Sequence, residues 1–290
     1  MRRFIMLLVA LWVQPLGAGE VIEIWEGRPP HYRDNNLEEY VKEEWGVPCA
    51  KNVTQPTLTM YHARGENSGR AVIILPGGGY EVESIVAEGQ LIAENLSSQG
   101  ITAAVLKYRL PLAESSDQPH LVPMVDTRKA LSLMRSKADT HGFDPAKVGV
   151  LGFSAGAHLA ASVSVLQSEN GDENPNFTAL VYPPVTRAAE NREWLEETLF
   201  HRAMTAEEGR RFSLPDTVTS ATPPAFLVHA YDAELVPISE SEAYARALRA
   251  AGQEVELHFF GRGGHGFGPG RPEDGTAQWL DLVADWIRRQ

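Results

Sequence analysis

A serine stands between glycines in Gly152-Phe153-Ser154-Ala155-Gly156, directly after the apolar run 148–151 and at the head of a small-residue stretch. A turn from strand to helix that lifts a serine above a sheet edge leaves little room beside it, and glycine meets that limit. The helix that follows would aim its first N–H groups at developing negative charge. This context reads as a nucleophile elbow, with Ser154 as the attacking group. Pro76-Gly77-Gly78-Gly79-Tyr80 follows a second apolar run, 71–75. Consecutive glycines there expose backbone N–H groups, as an oxyanion hole needs, so Gly78, Gly79 and Ala155 are the expected donors. A phosphate loop does not fit: no Gly-Lys-Ser/Thr follows, and Val82 fills the last glycine place of a dinucleotide fingerprint.

Gly263-Gly264-His265-Gly266-Phe267 sets one of nine histidines between glycines after a late strand, where a general base can swing over a neighbouring site. Asp232 lies two residues beyond the run 225–230 and is the candidate acid. Glu234 competes with it, but lies further out and suits solvent or the substrate rim better. The chain order Ser154, Asp232, His265 is that of α/β-hydrolases. His229 and His258 sit within apolar strands and read as core residues. His158, one turn past Ser154, packs below the elbow and is assigned no chemistry. There is no His-Glu-x-x-His, and Cys49 is the single cysteine, so neither a zinc hydrolase, a cysteine metal site nor a disulfide is supported. No metal or organic cofactor is expected.

Stations of this kind need strands whose ends converge. Alternation at 57–62 predicts a half-buried strand, and continuous apolar runs predict buried strands at 71–75, 101–108, 147–153, 177–182, 225–230 and 254–260. Helical patterns intervene at 88–98, 123–141, 155–167 and 238–251, and another closes the chain at 275–289. Strands alternating with helices give an α/β fold with a mostly parallel central sheet covered by helices on both faces. Residues 20–56 read as an irregular arm with one short helix near 37–44. Residues 186–220 form a long charged insertion between two strands, the usual form of a lid.

Arg2 and Arg3 precede an apolar run from Phe4 to Val13, with Gly17, Ala18 and Gly19 after it. Positive start, short apolar middle and small residues predict a signal peptide over 1–19, a single domain over 20–290 and a secreted or periplasmic protein with no membrane span after processing. The 290 residues carry a net charge of −12, which excludes a basic nucleic-acid face, and 43% are hydrophobic, which excludes a disordered chain. The expected partner is a small-molecule or oligosaccharide ester.

From about Trp25 to its end the chain resembles secreted bacterial carbohydrate esterases of the acetyl xylan esterase type. The matching stretches are Leu75-Pro-Gly-Gly-Gly-Tyr80, Glu88-Gly89, Leu106-Lys-Tyr-Arg-Leu110, Asp126 with Arg128 and Ala130, the elbow with His158-Leu159-Ala160, Pro223 to Ala230, and Gly263 to Gly268. Two departures stand out: Ala157 replaces a usual glycine, and Asp232 stands alone where a pair of aspartates is common, position 233 being alanine. The resemblance implies hydrolysis of short-chain, chiefly acetyl, esters on plant or algal saccharides through Ser154, His265 and Asp232. A general carboxylesterase or feruloyl esterase is the alternative. A serine peptidase and a non-catalytic binding relative rank lower. Tyr80 is a candidate substrate contact, and Trp25, Tyr32, Trp45, Tyr182 and Trp194 are further candidates to stack on sugar rings.

Overall fold

The computed structural model describes residues 19–290, so the expected signal segment lies, but for Gly19, outside the described residues. Ten strands are present among them: β1 (Glu20–Glu23), β2 (Tyr40–Glu44), β3 (Val47–Lys51), β4 (Thr57–Tyr61), β5 (Ala71–Leu75), β6 (Thr102–Lys107), β7 (Val148–Phe153), β8 (Thr178–Val181), β9 (Ala225–Ala230) and β10 (Val255–Phe260). Eight of them form one sheet in the order β1-β4-β6-β5-β7-β8-β9-β10. The pairs β1–β4 and β4–β6 are antiparallel, and every pair from β6 to β10 is parallel.

The apolar runs become strands because both faces of the sheet are covered. Strands β5 and β7 are buried along their whole length. Their side chains alternate between two cores, Ile73 and Leu75 on one face and Val72 and Ile74 on the other. Helices α1 (Leu91–Ser98) and α9 (Trp279–Arg289) cover the second core, with Leu96, Val283 and Trp286 packed into it. Helices α2 (Val122–Ser136), α4 (Ala155–Val165) and α8 (Ser239–Ala250) cover the first, through Leu131, Leu159 and Tyr244. The long helix expected over 123–141 breaks at Lys137 into α2 and α3 (Ala138–His141), and Gly142 ends it at φ 73°.

Strand β5 lies between β6 and β7, so connections from these central strands depart in opposite directions. Leu75 is in register with Gly152. The glycine loop after β5 and the elbow after β7 therefore emerge side by side at a topological switch point, where open parallel sheets bind ligands.

The arm differs from its sequence reading. No helix forms near 37–44. Instead β2 and β3 make an antiparallel hairpin closed by Trp45 (φ 51°) and Gly46 (φ 78°), a two-residue turn with both residues left-handed. Residue Ala50 then exchanges backbone hydrogen bonds with Glu83, and β1 extends the main sheet, so tertiary pairing overrides weak local propensity. A buried carboxylate holds the arm further along. Asp126 is fully buried and accepts from Arg109 Nη2 (2.7 Å), Arg109 Nε (2.9 Å to Oδ2), the Arg109 backbone N–H (3.0 Å) and the Trp25 indole (2.8 Å). Arg109 Nη1 in turn donates to the Pro30 carbonyl (2.7 Å).

The 186–220 insertion is a folded wall containing α5 (Ala189–Leu195), α6 (Ala206–Arg211) and α7 (Leu214–Thr217). Leu195, Leu199, Phe200, Met204, Phe212 and Leu214 are buried in the core shared with α4. Its base is tied to α8, because buried Glu240 accepts from the N–H groups of Val185 (2.6 Å) and Thr186 (2.7 Å).

Removing one partner of a buried ion pair strands the other charge. Asp126→Ala should therefore destabilise the chain by about 3–5 kcal/mol, read as a shift of the urea unfolding midpoint. A change under about 1 kcal/mol would show that the arm does not depend on this pair.

Candidate active site

Ser154 adopts φ 48° and ψ −117°, a conformation that non-glycine residues rarely hold without surrounding constraint. The constraints are steric and specific. A Cβ at Gly152 would lie 2.2 Å from the Gly156 carbonyl oxygen, and one at Gly156 would lie 2.1 Å from that of Leu75. The elbow thus presses against the end of β5. The Ser154 N–H donates to the Val181 carbonyl at the end of β8 (3.0 Å), and its own carbonyl accepts the His158 N–H (2.9 Å), opening α4.

His265 meets this serine from the other side of the sheet end, with Nε2 2.8 Å from Ser154 Oγ. Its loop is shaped by close approach: a Cβ at Gly263 (φ 154°) would lie 2.8 Å from Thr276 Cγ2. Burial, with a smaller contribution from His229, pushes the His265 pKa down to about 4. The imidazole is therefore neutral at pH 7, the state a general base requires.

The acid is where structure and sequence reading part. His265 Nδ1 is buried and has no hydrogen-bond partner among the described residues. Asp232 does not reach it. Its side chain is exposed, and Oδ1 accepts the backbone N–H of Gly264 at 2.7 Å, a bond that holds its pKa below the ordinary value. Asp232 consequently acts on the histidine through the backbone of the loop, not through the ring. The second aspartate of the pair common in the resembling esterases falls at Ala233, which is 5% exposed, so that inward position carries a methyl group. Glu234 is exposed as well.

The oxyanion candidates retain their donors. The N–H groups of Gly78, Gly79 and Ala155 have no hydrogen-bond partner among the described residues. The loop carrying the first two is fixed by its carbonyls. That of Gly78 accepts from Glu81 and Val82 (both 3.1 Å), and that of Gly79 from the Trp194 indole (3.0 Å). The Gly77 N–H is already committed, donating to Glu88 Oε2 at 2.8 Å.

Glu88 is the residue that motif reading did not assign a role. Fully enclosed in a π-type turn (Val86–Gln90) ahead of α1, it accepts from Gly77 and from the Tyr182 hydroxyl (2.5 Å), and Tyr182 Oη accepts the Gly268 N–H (3.2 Å). Burial raises its pKa to about 6 against those hydrogen bonds. Its cues in sequence are a lone carboxylate beside Gly89 on the inner face of a helix start and the place of Glu88-Gly89 among the stretches shared with the resembling esterases.

Tyr80, the expected substrate contact, is turned into the protein. Tyr80 is 2% exposed, its hydroxyl bonds His158 Nδ1 (2.9 Å), and its ring stacks on Trp194 (5.4 Å). It braces the oxyanion loop against the insertion because a phenol buried beside a neutral imidazole finds its partner inward. Burial lowers the His158 pKa to about 3. His229 is a satisfied core residue, bonded to Ser241 Oγ (2.9 Å) and the Val236 carbonyl (2.8 Å). His258 is only partly buried on edge strand β10, where it pairs with Glu256. Of the other aromatic candidates, Tyr182 is buried, while Trp45 is 75% exposed.

Residues 72–268 match the family model of the α/β-hydrolase fold. The chain is 32% identical over 234 residues to an acetylxylan esterase of Xylanibacter ruminicola, covering 76% of this chain and 46% of that protein. It is 30% identical over 220 residues to endo-1,4-beta-xylanase B of Butyrivibrio fibrisolvens, covering 73% and 34%. The chain thus spans less than half the length of these two curated relatives. Among solved structures, an acetyl ester-xyloside bifunctional hydrolase from Caldicellulosiruptor lactoaceticus superposes with a TM-score of 0.76 at 29% identity, covering 94% of this chain and 96% of that one.

Three outcomes follow from the unpartnered ring nitrogen. Asparagine still accepts the Gly264 N–H, so Asp232→Asn should lower kcat by less than about tenfold, against the roughly 10⁴-fold loss seen when an acid on Nδ1 is neutralised in a related mechanism. Ala233→Asp should raise kcat; a large loss in Asp232→Asn with no gain in Ala233→Asp would restore Asp232 to the ring. In the wild type the acidic limb of kcat/KM should fall near pH 4, since His265 must lose its proton to act as base. A limb near pH 7 would mean that a carboxylate does support the imidazolium.

Proposed function

The chain belongs to the α/β-hydrolase fold family, and from that premise we propose that it is a secreted serine esterase removing short acyl groups, chiefly acetyl, from plant or algal polysaccharides or oligosaccharides. One observation carries the reading: Ser154 Oγ stands 2.8 Å from His265 Nε2 on a left-handed elbow, beside N–H groups that have no partner among the described residues. Likeness to an acetylxylan esterase and to an acetyl ester-xyloside hydrolase supports the substrate class. The positive, apolar and small-residue order of residues 2–19 supports secretion.

In this mechanism His265 takes the proton of Ser154, whose oxygen attacks the ester carbonyl. Gly78 or Gly79 and Ala155 donate N–H groups to the oxyanion. His265 returns the proton to the leaving sugar hydroxyl, giving an acyl-serine. Water, deprotonated by the same ring, then releases the acid. For Nε2 to accept, the proton of the neutral ring sits on Nδ1, where it is a buried donor without a partner, at about 1–3 kcal/mol. The imidazolium formed in each step lacks a carboxylate beside it, so turnover is slower than in a complete triad. That same nitrogen favours one second reading, a binding relative with residual chemistry. Labelling of Ser154 by an active-site phosphonate separates the two.

A lid that admits lipid needs a free apolar face, and here the apolar residues of the insertion are consumed by the core. We expect acetyl esters to be cleaved fastest, with activity falling at butyryl and lost at octanoyl. Acetate release from acetylated xylan should accompany it. Rates on acetylated xylan and on acetyl, butyryl, octanoyl and feruloyl esters check this, with Ser154→Ala as background. Octanoyl turnover above acetyl turnover would overturn the short-chain assignment.

A further inference from the structure

A second cluster of chemically capable side chains lies away from the serine site. His62 follows β4, His141 ends α3, and Glu20 opens β1, paired through Met60 with the strand that leads to His62. The ligand atoms of the three residues all lie within 4.8 Å of one another. The two rings are stacked, with centroids 4.8 Å apart and planes within 19°, and their Nδ1 atoms lie 3.2 Å from each other.

That separation is informative. Two nitrogens bound to one zinc ion at about 2.05 Å, 109° apart, lie about 3.3 Å from each other. At the observed 3.2 Å the same bond length gives an angle of about 103° at the metal. Between two imidazoles only one Nδ1 can carry a proton in this contact, and a cation bound at both nitrogens replaces that proton once the two accessible rings tilt out of their stack. A nearby carboxylate supplies a third ligand and compensating charge, and imidazole with carboxylate is a donor set suited to zinc. All three residues are at least partly accessible, so an ion can enter from solvent.

We propose that Glu20, His62 and His141 form a binding site for a divalent transition-metal ion of the zinc type, with water completing the tetrahedron. The site is independent of the ester chemistry. Its ligands come from β1, from the end of β4 and from the end of α3, so the ion ties the outermost strand of the sheet to the helix layer. Binding to the folded chain alone raises its stability by mass action.

The test titrates chelator-stripped full-length chain with zinc chloride by calorimetry, in parallel with thermal unfolding. Wild type should bind one ion, and zinc at a hundred times its Kd should raise Tm by roughly 5–10 °C. His62→Ala and His141→Ala should each weaken binding by about tenfold or more, and Glu20→Gln by less. His62→Gln serves as a second variant should alanine disturb the fold, and metal-free Tm values identify any such disturbance. All four variants should retain ester turnover. No binding to wild type overturns the proposal. So does unchanged affinity in both histidine variants, or binding that disappears only when His265 is replaced.

Discussion

A single buried carboxylate links the parts that must meet for chemistry. Glu88 accepts the Gly77 N–H at the root of the oxyanion loop and the Tyr182 hydroxyl at the end of β8, and Tyr182 takes the Gly268 N–H from the histidine loop. Three loops from distant stretches of chain are thereby referenced to two oxygens. The arrangement consumes the Gly77 donor and leaves those of Gly78 and Gly79 without partners among the described residues, so it also decides which amides of the loop stay free. Burying a carboxyl group is unfavourable, and the raised pKa of about 6 records that cost. The cost is borne where a rigid geometry has a use, since preorganised donors need no reorganisation during reaction.

The histidine loop shows the opposite economy. Its backbone is held by Asp232 at Gly264, by Arg271 Nη2 at the Gly263 carbonyl (3.0 Å) and by the Trp279 indole at the Gly268 carbonyl (3.1 Å). Among the described residues the ring forms its one hydrogen bond through Nε2, to Ser154, and it packs against the Tyr182 ring at 4.7 Å between centroids. Position and charge stabilisation, which one aspartate performs together in a complete triad, are separated here. Asp232 bonds the backbone of the loop at Gly264, and the buried position 233 beside it carries a methyl group. In the proposed mechanism the result is a base whose pKa burial holds down, set beside a firmly held glycine loop.

Around this centre the arm and the insertion act as walls. Asp126 gathers Trp25, Arg109 and, through Arg109, Pro30, so that a segment poor in apolar residues is fixed by a desolvated ion pair. Glu240 does the same for the base of the insertion, and Trp194 locks its inner side to the Gly79 carbonyl. Both walls depend on buried polar groups with complete partner sets, which specify one arrangement more sharply than apolar contact alone.

Much of this was readable in one dimension. Apolar runs of the length of a strand, glycines at turns and the order serine, aspartate, histidine gave the α/β architecture and the β5 and β9 strands to the residue, and put Ser154, His265 and the glycine loop at strand ends that the fold brings together. Those signals are local: burial on both faces demands continuous apolar residues, and a left-handed or crowded backbone position demands glycine. The hairpin at 40–51 was not readable, because its strands gain their stability from pairing with each other and with Glu83 rather than from their own propensities. Nor was the inward turn of Tyr80, which depends on His158 being buried opposite it. Sequence spacing placed Asp232 at the right strand end and could go no further. Whether its carboxylate meets a ring nitrogen or a backbone N–H is a matter of a few ångströms between loops that are 32 residues apart in the chain, and only their packing in three dimensions decided it.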